Sequence, residues 1–258
     1  MTTATRTAED RSPYHGVLQI VRFNWPHYVV GGAALLLAAA TLALLPLPRP
    51  EQVLATVGLC CAVGWMIASI VVSHIVYDRS PLHAWRWVLD VLPQRPARWL
   101  NLHAGLDEST PALRHLLGGS GHTFDIYRAD AMTESSIVRA RRGAAADTSS
   151  QSADFAHLPV NTGSVDAAFL LFAAHELRRP GDRLALFLEL RRALRPRGRV
   201  VLCEHLRDAW NFAAFGPGFL HFLPRSAWTR VAAESRFDVE REFSITPFVR
   251  IFVLRRTP

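Results

Sequence analysis

Two histidine–glutamate pairs directly follow apolar runs of the sequence and have the side chains needed for proton transfer. His175 and Glu176 follow the run that begins at Val165, and Glu204 and His205 end the next one. If both runs are strands of a parallel sheet, the two pairs share the edge where such sheets bind ligands. We expect His175 to act as a general base, because an unperturbed imidazole titrates near neutral pH, with Glu176 and His205 as further catalytic groups. The alternative is that each histidine caps an element and binds the backbone.

The same side chains raise the question of a bound metal ion, because imidazole and carboxylate ligands together suit zinc or iron. The candidate ligands are His103, His175, Glu176, Glu204, His205 and His221. No two of them have the i, i+4 spacing on one helix that makes a metal-binding motif specific. We therefore expect no metal site.

The composition narrows the classes of partner. The chain has 258 residues and a formal net charge of +7, and nearly all the excess is arginine. Because the arginines are scattered over predicted helices rather than interleaved with aromatic residues, we expect no nucleic-acid binding; an anionic membrane surface is the better partner. Cys60, Cys61 and Cys203 lack the spacing of a zinc site or a disulfide framework, which indicates a reducing cytoplasm.

Two uncharged apolar segments, 28–48 and 52–77, are each long enough to cross a bilayer. The short connection between them predicts an antiparallel transmembrane hairpin, since each span must satisfy its own backbone hydrogen bonds in lipid. A buried soluble hairpin is disfavoured because neither segment has a charged face, and a cleaved signal peptide because a polar arm precedes the first segment. The sequence thus predicts an N-terminal arm over 1–27, an anchor over 28–77 and a further domain over 83–258.

The flanks of the two spans predict their orientation. The flanking arginines are Arg6, Arg11 and Arg22 before the first span and Arg79, Arg86, Arg95 and Arg98 after the second. The connecting loop has only Arg49, so the positive-inside rule places both ends of the hairpin in the cytoplasm and predicts a multi-pass protein of the inner (cytoplasmic) membrane. Trp25, Tyr28 and Tyr77 are expected in an interfacial aromatic belt. Glycines in both spans would permit close helix packing, which leaves a homo-oligomer open.

After the anchor, apolar runs alternate with helical patterns, which predicts an α/β domain with a mostly parallel sheet. Predicted strands cover 98–105, 122–130, 165–177 and 198–206, and predicted helices cover 111–119, 133–142 and 180–194. Residues 236–256 read as two strands joined by a short turn, so we expect an antiparallel hairpin at one sheet edge.

Two segments carry a resemblance to a known family. In 153–177, Asp154 is followed by Leu158–Pro159, a small loop and an apolar strand that begins at Asp166. In 186–205, a helix is followed by a Pro-x-Gly turn and another strand. This order is similar to that of the class I S-adenosylmethionine-dependent methyltransferases, and the resemblance covers about two-thirds of the chain. It implies a Rossmann-like fold and S-adenosyl-L-methionine as cofactor.

The resemblance also implies binding residues for the cofactor. Asp130 would bind the ribose hydroxyls, with Asp125 as the rival, and Asp154 would accept a hydrogen bond from the adenine amino group while Phe155 lines the ring. The structural alternatives are a helix cap for Asp130 and a solvated loop position for Asp154.

The first motif departs from the family pattern. Where the family has an acid and three close glycines, residues 101–108 retain only Gly105. Either Asn101 and His103 replace the lost contacts beside Gly105, or cofactor binding has decayed.

The apolar, aromatic insert 211–228 is expected to cover a pocket for a small lipophilic substrate. Together with the anchor, it predicts methyl transfer to a membrane-associated acceptor such as a quinone, an isoprenoid or a lipid. The alternative is a membrane-anchored pseudo-methyltransferase that keeps the fold and serves as a binding module.

Overall fold

The structure, a computed structural model, describes residues 12–143 and 150–257. It begins with two long helices, α1 (His15–Leu44) and α2 (Arg49–His74), joined by a short connection. Both are long and apolar enough to cross a membrane, and their most apolar stretches are not buried inside the protein. Helix α1 starts well before the predicted span, so much of the expected N-terminal arm is helical. The predicted flanking residues Arg6 and Arg11 lie outside the described residues.

After α2 the chain turns onto the rest of the protein. A π-helical turn (Ile75–Arg79), a 3₁₀ turn (Pro81–Ala84) and the short helix α3 (Val88–Val91) follow in sequence. Val76, Leu82 and Val88 are fully buried and pack in the core beneath the sheet. The anchor is therefore joined to the α/β domain by packed structure.

The α/β domain contains one seven-stranded sheet. Its strands are β1 (Arg98–His103), β2 (Ser120–Asp125), β3 (Gln151–Ser152), β4 (Val165–Leu171), β5 (Leu194–His205), β6 (Phe237–Thr246) and β7 (Val249–Arg256). Their order is β3-β2-β1-β4-β5-β7-β6; β7 pairs antiparallel with both β5 and β6, and the other described strand pairs are parallel. This confirms the predicted Rossmann-like fold with an antiparallel C-terminal hairpin.

Five helices complete the described part of the domain: α4 (Thr110–Leu117), α5 (Ser135–Gly143), α6 (Pro180–Ala193), α7 (Ala209–Phe215) and α8 (Arg225–Glu234). Apolar cores lie on both faces of the sheet, because neighbouring β1 residues such as Trp99 and Leu100 point to opposite sides. Helix α6 ends as the sequence predicts, but β5 begins at once, before the Pro-x-Gly turn rather than after it.

Contacts between the helical hairpin and the domain fix the anchor above the carboxyl edge of the sheet. The Asp78 carboxylate accepts hydrogen bonds from the amides of Gly16 (2.6 Å) and Val17 (3.0 Å), and so caps the first turn of α1. The guanidinium of Arg139, on α5, donates to the Phe23 carbonyl at 2.5 Å. These contacts place one wall of the anchor over the ends of the central strands.

Candidate active site

A cavity of about 740 Å³ lies between the helical hairpin and the carboxyl edge of the sheet. Its floor is formed at the ends of β1, β4 and β5, where His103, Leu171 and His205 line it. Its walls include residues of α1 and α2 as well as the turn after α7. The central edge of an α/β sheet is where this architecture binds ligands, and here the anchor helices close that edge.

The structure brings both predicted histidine–glutamate pairs to this cavity. His175 Nδ1 lies 2.7 Å from Glu204 Oε2, and the His175 amide donates to Glu204 Oε1 at 3.2 Å. On the other side of the ring, Nε2 lies 3.3 Å from Glu176 Oε1. Burial alone would lower the pKa of His175, but the two carboxylates outweigh it and raise the pKa to about 10. A doubly paired imidazolium has no lone pair to accept a proton, so the predicted role of His175 as general base does not fit this geometry.

His205 has the opposite environment. Its Nδ1 donates to the Phe248 carbonyl at 2.8 Å, which leaves Nε2 to accept a hydrogen bond from the Tyr77 hydroxyl at 2.7 Å. Burial, with a smaller contribution from the charge of His175, lowers the pKa of His205 to about 4, although the hydrogen bond to the Phe248 carbonyl opposes the shift. His205 is therefore neutral at physiological pH. Sequence reasoning placed Tyr77 in an aromatic belt and missed this contact.

A third histidine joins the site from the insert after α7. The ring of His221 packs edge-on against that of His175 at 5.2 Å between centroids. Burial and the charge of His175 lower the pKa of His221 to about 3. Arg178 donates to the His221 carbonyl (2.6 Å) and to the His175 carbonyl (3.3 Å). Both histidine-bearing segments are thus held by one guanidinium.

The loop after β1 forms a backbone cradle beside this cavity. Gly105 has φ = +100°, in the region that favours glycine, and a Cβ there would overlap the side chain of Arg141. His103 lines the cavity, accepts from the Gly105 amide at 3.0 Å and contacts Ser150 Oγ at 2.6 Å. The single remaining glycine of the predicted motif thus stands at a position that no larger residue could occupy unless Arg141 moved.

Asn101 has a different role from the one predicted. Its side chain is buried, and its amide group donates to Ser109 Oγ (2.9 Å) and Thr110 Oγ1 (2.8 Å) at the start of α4. It does not line the cavity. Asn101 therefore fixes the loop that carries Gly105 rather than reaching towards a ligand.

Of the two candidate ribose acids, Asp125 is the better placed. Asp125 ends β2 beside the cradle, and Arg141 Nη1 lies 2.6 Å from its carboxylate. The Asp130 side chain lies on a turn beyond the strand, is 67% exposed and is bound by Arg128 at 2.6 Å. The prediction of Asp130 placed the end of the strand too late along the chain.

The predicted adenine-side residues lie on the loop after β3. Asp154 accepts from the Ala156 amide at 3.0 Å, and its half-exposed carboxylate lies 3.8 Å from Arg128. Phe155 is buried in the core, and the guanidinium of Arg128 lies 4.9 Å above its ring. Asp154 is thus reachable by a ligand, whereas the Phe155 ring is covered.

Comparison with known proteins supports the assignment of this domain. Residues 105–202 match the family model described as a methyltransferase domain. No curated protein matches the sequence.

Solved structures share the fold at low sequence identity. A SAM-dependent methyltransferase from Aquifex aeolicus is 16% identical, with 69% of this chain and 93% of that chain covered and a TM-score of 0.51. The geranyl diphosphate C-methyltransferase from Streptomyces coelicolor A3(2), in complex with Mg²⁺, geranyl diphosphate and S-adenosyl-L-homocysteine, is 14% identical, with 73% and 83% covered and a TM-score of 0.51. A methyltransferase in complex with the Haloferax volcanii Trm112 activator is 16% identical, with 70% and 92% covered and a TM-score of 0.51. The α/β domain therefore has the fold of the class I S-adenosylmethionine-dependent methyltransferases, and residues 105–202 within it match the methyltransferase-domain model.

Proposed function

We propose that this chain is a membrane-anchored methyltransferase that transfers the methyl group of S-adenosyl-L-methionine to a small lipophilic acceptor. The observation that carries the proposal is the shared cavity. It joins the cradle at the end of β1 to walls supplied by the apolar helices α1 and α2.

The residues of the cradle fit the cofactor. The strand order reverses between β1 and β4, and ligands of such sheets bind at that point. Gly105 permits a close approach of backbone to ligand, Asp125 presents a carboxylate for two ribose hydroxyls, and Asp154 is open to an adenine amino group. The bound cofactor supplies an electrophilic methyl group, and the protein's task is to align the acceptor and exclude water.

The membrane location is supported by the surfaces of the anchor helices. Leu36, Leu37, Leu44, Val53 and Leu54 are all more than half exposed, which a water-facing hairpin would not favour. The arginines on the domain side of the hairpin outnumber the single Arg49 of the connection, so the positive-inside rule places the domain in the cytoplasm.

The acceptor chamber is apolar and aromatic where the anchor forms it. Phe23 of α1, Trp65 and Met66 of α2, and Phe215 and Phe222 of the insert line this end. The cavity extends along the hairpin as far as Tyr28, at the start of the predicted first span. A quinone, an isoprenoid or another flat or chain-like lipid would enter from the bilayer and present its reactive end to the sheet edge.

A proton released by such an acceptor would pass to the Tyr77–His205 pair. Both side chains line the cavity, and Nε2 of the neutral His205 already accepts a hydrogen bond from the Tyr77 hydroxyl. Glu176 and the Glu204-bound His175 then serve to hold charge and orient the acceptor.

A second candidate, a pseudo-methyltransferase that binds a partner through the same fold, is favoured by one observation. The side chain of Arg141 fills the cradle next to Gly105 and pairs with Asp125. If that pair is permanent, the cofactor has no access to the Asp125 carboxylate.

The test is calorimetric titration of S-adenosyl-L-methionine into the full chain purified in detergent. We expect saturable binding that Asp125→Asn weakens at least tenfold, because hydrogen bonds to a charged group contribute about 1.5–3 kcal/mol. Asp130→Asn, the comparator, is expected to stay within about twofold, since its side chain is engaged with Arg128 away from the cradle.

Labelled cofactor with lipid extracts then tests the acceptor class. A methylated product that partitions into organic solvent supports the proposal. No cofactor binding by folded protein would overturn it in favour of the pseudoenzyme, and a product only from water-soluble extracts would overturn the lipophilic acceptor.

A further inference from the structure

Three side chains with metal-binding atoms meet at one end of the cavity, although they come from two separate segments. His175 and Glu176 lie on the 3₁₀ turn after β4 (Ala174–Glu176), and His221 ends the 3₁₀ turn after α7 (Gly216–His221). One donor atom from each residue lies within 4.8 Å of the other two. All three residues line the cavity, so a ligand there can reach them.

A buried carboxylate orients the first of these ligands. Glu204, which is 1% exposed, holds His175 Nδ1 at 2.7 Å and the His175 amide at 3.2 Å. The ring is therefore fixed with Nε2 directed at Glu176. A carboxylate that binds one ring nitrogen while the other faces an ion is the usual outer partner of a metal-ligating histidine.

The second ligand has an oxygen with no partner in the described structure. Glu176 is buried, and its Oε2 atom makes no hydrogen bond. An unpaired carboxylate oxygen in a buried site is costly, and a cation bound between it and the imidazoles would compensate for that cost.

The third ligand, His221, is held in place through a hydrogen bond to its backbone carbonyl. Arg178 donates to the carbonyls of His175 and His221, so one side chain fixes the spacing of the two histidine segments. Glu134 lies 3.8 Å from His221 and 3.6 Å from Arg178. Three carboxylates (Glu134, Glu176 and Glu204) thus face the cluster against the Arg178 guanidinium and the protonated His175, which leaves a net charge of −1. A dication that replaces the Nε2 proton of His175 would neutralise that charge.

We infer that His175, Glu176 and His221 form a binding site for a divalent transition-metal ion. Two imidazoles and one carboxylate suit Zn²⁺ or Fe²⁺, whereas Mg²⁺ and Ca²⁺ prefer all-oxygen ligands. Because all three residues line the cavity, the ion would lie within reach of an acceptor bound there, and this role rests on the proposed function. Sequence reasoning expected no metal site because no helix carries two of these ligands at i, i+4, but here the fold brings the ligands together.

The test uses the full chain in detergent, with any histidine tag removed and bound metal stripped by a chelator. Zn²⁺ is titrated by calorimetry and Co²⁺ by its visible absorption. We expect one ion per chain, with affinity weakened at least tenfold by Glu176→Gln and by His221→Ala. His115→Ala, which removes an exposed histidine on α4, is the matched control and should bind as the wild type does.

Two results would overturn the inference. One is the absence of saturable binding at one ion per chain, and the other is wild-type affinity in both Glu176→Gln and His221→Ala. Circular dichroism shows whether each variant is folded, and Glu176→Gln preserves side-chain volume if His221→Ala fails to fold. Since metal is titrated without S-adenosyl-L-methionine, the outcome is separate from that of the cofactor titration.

Discussion

Replacing Arg141 with methionine should strengthen binding of S-adenosyl-L-methionine. In the structure, Arg141 Nη1 lies 2.6 Å from Asp125 Oδ2, and its guanidinium lies 4.1 Å above the Tyr127 ring. The same side chain occupies the space beside Gly105. A cofactor that uses Asp125 must first displace Arg141, so the pair competes with the ligand.

The size of the effect follows from how exposed the pair is. The side chains of Arg141 and Asp125 are 32% and 20% exposed, so solvent screens their attraction in part. Exposed ion pairs contribute about 0.2–1 kcal/mol and hydrogen bonds to charged groups about 1.5–3 kcal/mol, which places this pair near 1–1.5 kcal/mol. The contact with Tyr127 adds about 0.5 kcal/mol. Removing a competitor worth about 1.5–2 kcal/mol lowers Kd roughly 10- to 30-fold.

The test is calorimetric titration of S-adenosyl-L-methionine into the wild type, Arg141→Met and Arg142→Met. Methionine keeps much of the length and packing of the arginine, and Arg142 is its exposed neighbour on α5. We expect Arg141→Met to bind S-adenosyl-L-methionine more tightly than the wild type and Arg142→Met to bind it equally well. If Arg141→Met instead weakens binding, Arg141 is a cofactor ligand and the idea of a displaced competitor is wrong.

Three further outcomes are expected. Tyr77→Phe should lower the free energy of unfolding by about 1–3 kcal/mol, because it leaves the buried His205 Nε2 unpaired; thermal melts in detergent would show it, and an unchanged melt would contradict the contact. Gly105→Ala should destabilise the chain by about 1–2 kcal/mol, because alanine disfavours the positive φ of this position, and should raise the Kd for the cofactor at least tenfold. An unchanged Kd would contradict a close contact between the cofactor and the backbone at Gly105. Stability should rise with pH between about 4 and 6.5, because His205, whose pKa is about 4 when folded, stays unprotonated there while the unfolded chain binds a proton. The slope should become shallower in His205→Asn without vanishing, because His221, whose folded pKa is about 3, contributes a slope of the same sign. An unchanged slope in that variant would refute the role of His205.

Much of the α/β domain was predictable because it follows from local patterns. The runs that became β1, β4 and β5 are apolar, and α6 has a helical pattern followed by Pro-x-Gly, so both the parallel sheet and the residues at its carboxyl edge could be inferred. The positions of His175 and His205 at that edge follow from the same argument. The strand ends were less certain, which is why Asp130 was preferred to Asp125.

The remaining features depend on contacts that no local pattern encodes. The start of α1 is set by the carboxylate of Asp78, 62 residues away from Gly16, so the sequence around His15 gives no signal for it. The pairing of Tyr77 with His205 likewise requires the anchor to dock on the sheet edge. The direction of the His175 pKa shift could not be inferred either, because it depends on two carboxylates converging in space.

If α1 crosses a membrane as we propose, the hydrogen bond from Arg139 to the Phe23 carbonyl connects the surrounding lipid mechanically to the cofactor cradle. Helix α5 carries both Arg139, which donates a hydrogen bond to α1, and Arg141, which pairs with Asp125 beside the cradle. Membrane helices adjust their tilt to the thickness of the surrounding lipid, and a change in the tilt of α1 would pull on α5. Cofactor affinity would then depend on the thickness of the membrane as well as on the protein. Titrations in nanodiscs of thin and thick lipids should differ from each other, and Arg139→Met should abolish that difference.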